Sequence, residues 1–430
     1  MSNPDRTKAP SMRPFTSVRL DFPKPIRLAN GIETYVAGNG EDEVCRISWY
    51  LPGGKFQEAV PMQATLTAMS LFEGCSGMTA QQVADTFDSY GAMKSAQAFD
   101  NVTLAELSSL NKFLPRVLPA WVRCVTSPAF SEAEVDVKRQ YVASSIASMQ
   151  QKVKYLASCE MNRLYYGPGH PLARVSTPAQ VEAIDTGMLR GFHAANYSLA
   201  GSRIVVSGHI TSAELEAIDS AIGSLPLGPQ RGLPREWPIE PSATMQSVID
   251  RPGAMQSAIA MTIRAVNRSH PDYLKLRLLV MVLGGYFGSR LMTNIREDKG
   301  YTYGIGAVLS GRYDDAYVGI ITECACEYTA GVIAEVKKEI GRLRSEPIGL
   351  DELSTVKRHL MSDLVKTLDT PFSIADYVGS TFLYGVYPEY FNRQVKEVHE
   401  ATPDELRRLA VKYLDPAKLR IVVAGDKSKM

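Results

Sequence analysis

The feature that most constrains this chain is that it repeats itself. Ser202-Arg203-Ile204-Val205-Val206-Ser207-Gly208 follows Asn196-Tyr197, and Leu419-Arg420-Ile421-Val422-Val423-Ala424-Gly425 follows Lys412-Tyr413. The two arginines stand 217 residues apart (203 to 420). A second match, Val137-Lys138-Arg139 and Val356-Lys357-Arg358, has nearly the same offset, and each copy follows a proline, Pro128 or Pro347, and an acidic stretch. A period this long means two tandem homologous domains, not a solenoid of short repeats. Between the copies stand Pro226, Pro229, Pro234, Pro238 and Pro241, a density that neither a helix nor a central strand tolerates. The expected division is therefore 15–225, a linker at 226–244, and 245–430.

Length agrees with that division, because 430 residues are too many for one ordinary core. The net charge of +1 carries no bias toward nucleic acid or an anionic membrane. The longest apolar runs, such as Leu278 to Leu283, are too short to span a bilayer. Met1 to Pro10 is polar, so a cytoplasmic protein is expected, or a periplasmic one if a leader has been removed. The six cysteines form no C-x-x-C pair and read as buried or half-buried thiols; Cys324 and Cys326 are expected on one face of a strand.

Periodicity gives the elements. Ile26 to Val36 reads as two short strands about an Asn30-Gly31 turn, with further strands at Val44 to Leu51, Val102 to Leu110 and Arg203 to Gly208. Ala64 to Glu73, Thr79 to Tyr90, Leu114 to Thr126 and Ser131 to Met149 have helical spacing, with Thr79 and Gln82 placed as a capping box. The second half repeats the plan, with strands at 246–250, 256–265, 303–309 and 316–324 and helices at 327–345 and 350–368. Strands grouped with helices, without strict alternation, imply an α+β fold: in each domain a mainly antiparallel sheet with helices packed on one side.

Four stretches, in this order, resemble the insulinase/pitrilysin family of inverted zincins, in particular its short two-domain bacterial branch. They are Ser70 to Cys75 with Thr79 to Gly91; Gly169-His170-Pro171-Leu172; Phe192-His193 through Asn196-Tyr197 to Gly208; and Gly284-Gly285 through Ser289-Arg290-Leu291 and Ile295-Arg296-Glu297 to Tyr303. The resemblance covers almost the whole chain and implies a metalloprotease or processing-peptidase-like fold. Active members carry H-x-x-E-H, which sets two histidines on one helical face to bind zinc while the glutamate serves the metal-bound water as base. Aligned on Leu71-Phe72-Glu73-Gly74, that motif falls on Thr65, Ala68 and Met69, and the later glutamate ligand falls on Ser145. None of these can do the work of the residue it replaces, so no metal is expected on this chain.

The resemblance also implies a second half-site. Arg296 and Tyr303, seven residues apart, match the arginine and tyrosine with which relatives reach substrate from their second domain; Tyr301 competes for the tyrosine role. A fixed cation and a hydroxyl can hold a carbonyl and its developing oxyanion. Members of the short branch work as pairs of crescent-shaped chains, some dividing the site between them. The implied partner is a homologous zinc-binding subunit carrying H-x-x-E-H, with zinc there and a peptide as substrate; a homodimer and a catalytically inert structural or peptide-binding homologue are the alternatives. Relatives bind peptide along an exposed sheet edge, which places a peptide ledge at Ala98, Phe99, Asp100, Asn101 and Val102.

Overall fold

The computed structural model describes Thr7 and residues 18–38, 40–312 and 314–430; the start at residue 15 and most of Met1 to Pro10 lie outside them. The first half runs β1 (Ile26–Arg27), β2 (Glu33–Val36), β3 (Val44–Pro52), α1 (Gln63–Met69), α2 (Ala80–Asp88), β4 (Met93–Ala98), β5 (Val102–Leu110), α3 (Leu114–Thr126), α4 (Glu132–Met149), α5 (Val153–Tyr166), α6 (Pro178–Glu182), α7 (Thr186–Asn196), β6 (Arg203–Gly208) and α8 (Ser212–Ile218). The second runs β7 (Gln246–Asp250), β8 (Gln256–Arg264), α9 (Tyr273–Val280), β9 (Thr302–Gly311), β10 (Ala316–Ala325), α10 (Thr329–Ser345), α11 (Leu350–Lys366), α12 (Pro371–Tyr384), α13 (Tyr390–Glu400), α14 (Pro403–Tyr413) and β11 (Arg420–Gly425).

The strands form two sheets of one design. The first has the order β1-β2-β6-β3-β5-β4 and the second β7-β11-β8-β10-β9. In each, the strand that closes the half runs parallel to one neighbour, β6 to β2 and β11 to β7, and every other pairing is antiparallel. The arginines that mark the repeat open β6 and β11, and Tyr50 and Thr262 occupy equivalent places opposite them. This is the expected α+β architecture.

One face of each sheet packs on helices of its own half. Trp49 on β3 meets Trp121 on α3 with ring centroids 5.8 Å apart, and its indole N–H donates to the Ser202 hydroxyl at 3.0 Å. In the second half Ile259, Met261 and Ile320 pack with Leu276, Val336 and Leu360. The other face of each sheet receives a helix from the opposite half, which the sequence did not suggest. Helix α5 lies on β8 and β11 through Ala157, Met161 and Leu164 against Ala258, Ala260, Val422 and Ala424. Helix α12 lies on β6 and β3 through Ala375 and Val378 against Tyr35, Tyr50 and Val205. Both helices have 14 residues and they begin 218 residues apart (153 to 371), so the repeat has exchanged equivalent elements. Neither half is closed without the other.

Residues 226–244 contain no helix or strand, as the prolines require, but they are not a loose tether. The Glu240 and Ser242 amides donate to the Tyr166 and Leu164 carbonyls at 3.0 and 2.9 Å, and the Trp237 indole donates to the Phe56 carbonyl at 3.2 Å. Two smaller expectations resolve as well. Thr79 and Gln82 form the capping box. Cys326 does not share a face of β10 with Cys324, because the strand ends at Ala325 and Cys326 starts a 3₁₀ turn.

Candidate functional site

Helix α1 (Gln63–Met69) holds three of the four positions at which the resemblance places the metal motif and its later ligand. It is anchored at its start by Gln63, whose side chain donates to the Met188 carbonyl at 2.9 Å and accepts from the Ala59 amide at 3.0 Å. The Thr67 hydroxyl caps back onto the Gln63 carbonyl at 2.8 Å. Thr65 and Met69, one turn apart, are half-buried on one side of the helix, while Ala68 is 1 % exposed and belongs to the core. Ser145 is exposed on α4, which is tied to the segment after α1 by a 2.7 Å ion pair from Lys138 to Glu73. The side chains at the four positions are two hydroxyls, a thioether and a methyl group. They do not fit zinc, which calls for imidazole, thiolate or carboxylate. Among the described residues no group of three or more histidines, cysteines, aspartates or glutamates could hold a metal ion.

In the second half a widened, π-helical segment, Met292–Asp298, ends before Gly300, whose φ of +65° turns the chain into β9. That geometry brings Arg296 and Tyr303 together. Arg296 Nε donates to the Tyr303 carbonyl at 2.9 Å, and its guanidinium carbon lies 4.5 Å from the Phe287 ring centroid and 5.9 Å from that of Tyr303. Its one carboxylate neighbour among the described residues, Glu297, is 3.8 Å away, a loose pair at the surface. Tyr303 is 94 % exposed. By contrast the Tyr301 ring stacks on Tyr328, centroids 4.8 Å apart, and packs against the core of the second half. The result is a cation held from below by a backbone carbonyl, flanked by an aromatic face, with an unencumbered phenol beside it. Such a pair can donate hydrogen bonds to a carbonyl oxygen brought to the surface.

The five residues read as a peptide ledge sit elsewhere than expected. Ala98 ends β4, Val102 begins β5, and Phe99 to Asn101 form the connection between them. The Phe99 carbonyl accepts from the Lys55 amide at 2.8 Å, the Asp100 carbonyl from Phe56 at 2.7 Å, and the Asn101 carbonyl from Gly53 at 3.1 Å. The Asp100 carboxylate pairs with Arg312 of the second half, and the Asn101 side chain holds Gln57 and Arg235. A peptide strand needs unpaired backbone groups, and the carbonyls of this turn are already taken; one free edge of the sheet is the outer side of β4, which ends at Ala98. The sequence could not show this, because the partners of the turn lie more than forty residues away in both directions.

Close to that turn is the seam between the halves. His170 is buried, stacked on Tyr166 at 4.6 Å and edge-on to Phe56 at 5.6 Å, and its Nδ1 accepts from the Leu172 amide at 3.1 Å. Burial, followed by the positive charge of Arg312, pushes its pKa down to about 4. Across the seam the Tyr165 hydroxyl donates to Asp315 at 3.0 Å. The histidine-proline turn is thus part of the joint between the halves.

Residues 183–360 match the family model described as the Peptidase M16 inactive domain. This stretch carries a domain of the M16, or insulinase, family of peptidases. An uncharacterised zinc protease of Mycobacterium leprae is 23 % identical over 350 residues, covering 80 % of this chain and 78 % of that protein. The crystal structure of a peptidase M16 inactive domain from Pseudomonas fluorescens superposes with a TM-score of 0.85 at 25 % identity, covering 94 % of this chain and 98 % of that one. A chain of complex III2 from Candida albicans shares the fold, with a TM-score of 0.73 at 15 % identity over 94 % and 96 % of the two chains. The M16 fold therefore carries inactive-type chains as well as zinc proteases. No helix among the described residues is long and apolar enough to cross a membrane.

Proposed function

We propose that this chain is the non-metal subunit of an M16 peptidase and supplies Arg296 and Tyr303 to a zinc site carried by a partner with H-x-x-E-H. The observation that carries the reading is the contrast between the two half-sites. At α1 every ligating or proton-accepting group is replaced, and Ala68 has joined the core. At the start of β9 a phenol exposed to 94 % stands beside an arginine with no firm carboxylate partner. A side chain kept so far out of the fold adds little to stability, and its exposure suits contact with another molecule.

In this reading the peptide substrate lies in the space between the two chains. The Arg296 guanidinium and the Tyr303 hydroxyl donate to the scissile carbonyl oxygen and to the negative charge that develops on it. Tyr303 rather than Tyr301 has that role, because the Tyr301 ring is already stacked. The partner chain brings the metal and the base. Substrate backbone can add to a free sheet edge, and the outer side of β4 replaces the turn at 98–102 as the place for it.

The test is reconstitution. The purified chain is mixed with the H-x-x-E-H homologue encoded in the same genome, and hydrolysis of an unfolded peptide is followed. Activity of the mixture well above either chain alone, with zinc found only in the partner, supports the proposal. A mixture no more active than the partner alone refutes it, and favours an inert structural or peptide-binding homologue.

A further inference from the structure

Helices α9, α11, α12 and α13 and strand β9 line a cavity of about 430 Å³ apart from the residues described above. This volume lies within the range of small-molecule sites. A π-helical turn, Met281–Gly285, forms part of its wall, a backbone irregularity that recurs at functional sites.

The polar lining is unusual in three respects. First, it holds two guanidinium groups, and among the described residues neither has a carboxylate within ion-pair distance. Arg277 donates to the Gln394 side chain at 2.6 Å, which leaves further N–H groups free. Arg268 lies over the Tyr384 ring with its guanidinium carbon 4.0 Å from the centroid, its Nε donates to the Gly311 carbonyl at 3.1 Å, and its guanidinium also stands beside the Tyr390 hydroxyl. Second, the one acid in the lining, Asp363, is already engaged, by Lys366 at 3.2 Å and His359 at 3.7 Å. Third, Tyr390 is 2 % exposed and its hydroxyl, with Arg268 beside it, makes no well-formed hydrogen bond among the described residues. Burial holds that phenol up at about 12, so it is a neutral donor at physiological pH. An unmade hydrogen bond of a buried hydroxyl costs about 1–3 kcal/mol, which a ligand oxygen would recover. The rest of the wall adds the hydroxyls of Thr367 and Ser380 to apolar and aromatic side chains that include Val280, Leu309, Leu364 and Tyr377.

We infer that this cavity is a binding site for a carboxylate with an apolar or aromatic body, the acid group received by Arg277 and Arg268 with the Tyr390 hydroxyl. Planar guanidinium groups suit a carboxylate, and the tyrosine-rich wall suits the body. A free carboxylic acid and the carboxy-terminus of a peptide present the same group. The site does not depend on the proposed role of Arg296 and Tyr303, although Gly285 and Val308 in its wall lie two and five residues along the chain from Phe287 and Tyr303.

Isothermal titration of the full chain with 3-phenylpropionate, and with the neutral 3-phenylpropanol, tests the inference. A tetrapeptide ending in phenylalanine and its carboxy-terminal amide separate the two sources. The acids should bind at least ~10-fold tighter than their neutral counterparts, the loss expected for charge-assisted hydrogen bonds. Arg277→Gln and the isosteric Tyr390→Phe should each remove most of that preference while keeping the native circular dichroism spectrum, and Tyr303→Ala should leave it intact. Binding of the peptide acid without the free acid sustains the site and assigns it to chain termini. Equal affinity for acid and neutral forms, no binding of either acid, or an unaltered preference in folded Arg277→Gln or Tyr390→Phe overturns it.

Discussion

The two places where the halves exchange helices can be compared residue by residue, because the register fixes which positions correspond. On the first sheet Tyr50 faces α12 at Gly379, where a Cβ would lie 1.7 Å from the tyrosine oxygen. On the second, the equivalent strand residue is Thr262, and the equivalent helix residue, 218 positions earlier than Gly379, is Met161; the threonine hydroxyl lies 3.0 Å from the methionine sulfur. One contact puts the bulk on the strand and the gap on the helix, and the other reverses the arrangement. The fold keeps the total volume at the contact, and each copy is free to distribute it. The two proposed half-sites differ in the same spirit: Thr65, Ala68, Met69 and Ser145 are core or neutral groups, whereas Arg296 and Tyr303 are a surface cation and an exposed phenol. Duplication preserved the frame, and each half then kept a different part of what the frame can carry.

The sharpest way to break this comparison is to transplant one contact into the other. Gly379→Met has no room beneath Tyr50 and is expected to cost about 3 kcal/mol or more by overpacking, while Tyr50→Thr leaves a cavity costing a similar amount. The double variant copies the Thr262–Met161 solution and should recover at least half of the summed loss in urea denaturation. Simple addition of the two losses would show that the contacts are not equivalent. The half-site comparison is tested by Ala68→Glu. If that position has become core, an uncompensated carboxylate there should destabilise by about 2–4 kcal/mol; a neutral effect would mean that it still opens to solvent.

A smaller effect is expected at the seam. The folded pKa of His170, about 4, lies below the ordinary histidine value of 6.5, so between those values the unfolded chain holds more protons. Its contribution to stability is complete above about pH 6.5 and is lost as pH falls toward 4, on the order of 1–3 kcal/mol. Glu58, which burial raises to about 7, acts with the opposite sign, its contribution being lost as pH rises through that value. The difference between the native chain and His170→Gln across pH 4–7 isolates the histidine, and parallel curves would refute the assignment. The smallest effect should come from Tyr303→Ala, within about 0.5 kcal/mol of the native chain, because the side chain is almost wholly in water. A larger loss would make Tyr303 a packing residue and weaken its proposed role.

Much of this architecture was legible in the sequence, for local reasons. Strands such as Val102–Leu110 alternate, α3 carries an apolar stripe, and the repeated Arg-Ile-Val-Val opens the closing strand of each sheet. The Arg296–Tyr303 spacing was legible too, because a helix end, one left-handed glycine and a strand start are all local. What escaped depends on distant partners. Helix α5 buries Ala157, Met161 and Leu164 against strand residues such as Ala258 and Ala260, about 100 residues further along, and its own stretch carries no strong stripe. The pairing of the turn within 98–102 was not legible either, because its hydrogen bonds come from Lys55, Phe56 and Arg235, far along the chain. The carboxylate cavity gathers Arg268, Arg277 and Tyr390 from segments more than a hundred residues apart, and no spacing announces it.

The central claim is that this chain contributes the arginine and tyrosine of a divided site. The direct measurement is kcat/KM for peptide hydrolysis by the chain mixed with its H-x-x-E-H homologue, compared with mixtures containing Arg296→Ala or Tyr303→Phe at matched dimer content. Each variant should lower kcat/KM by about 10²–10³, the cost of removing one oxyanion donor, while the stability of the chain and its pairing are unchanged. Full activity in either mixture would contradict the account.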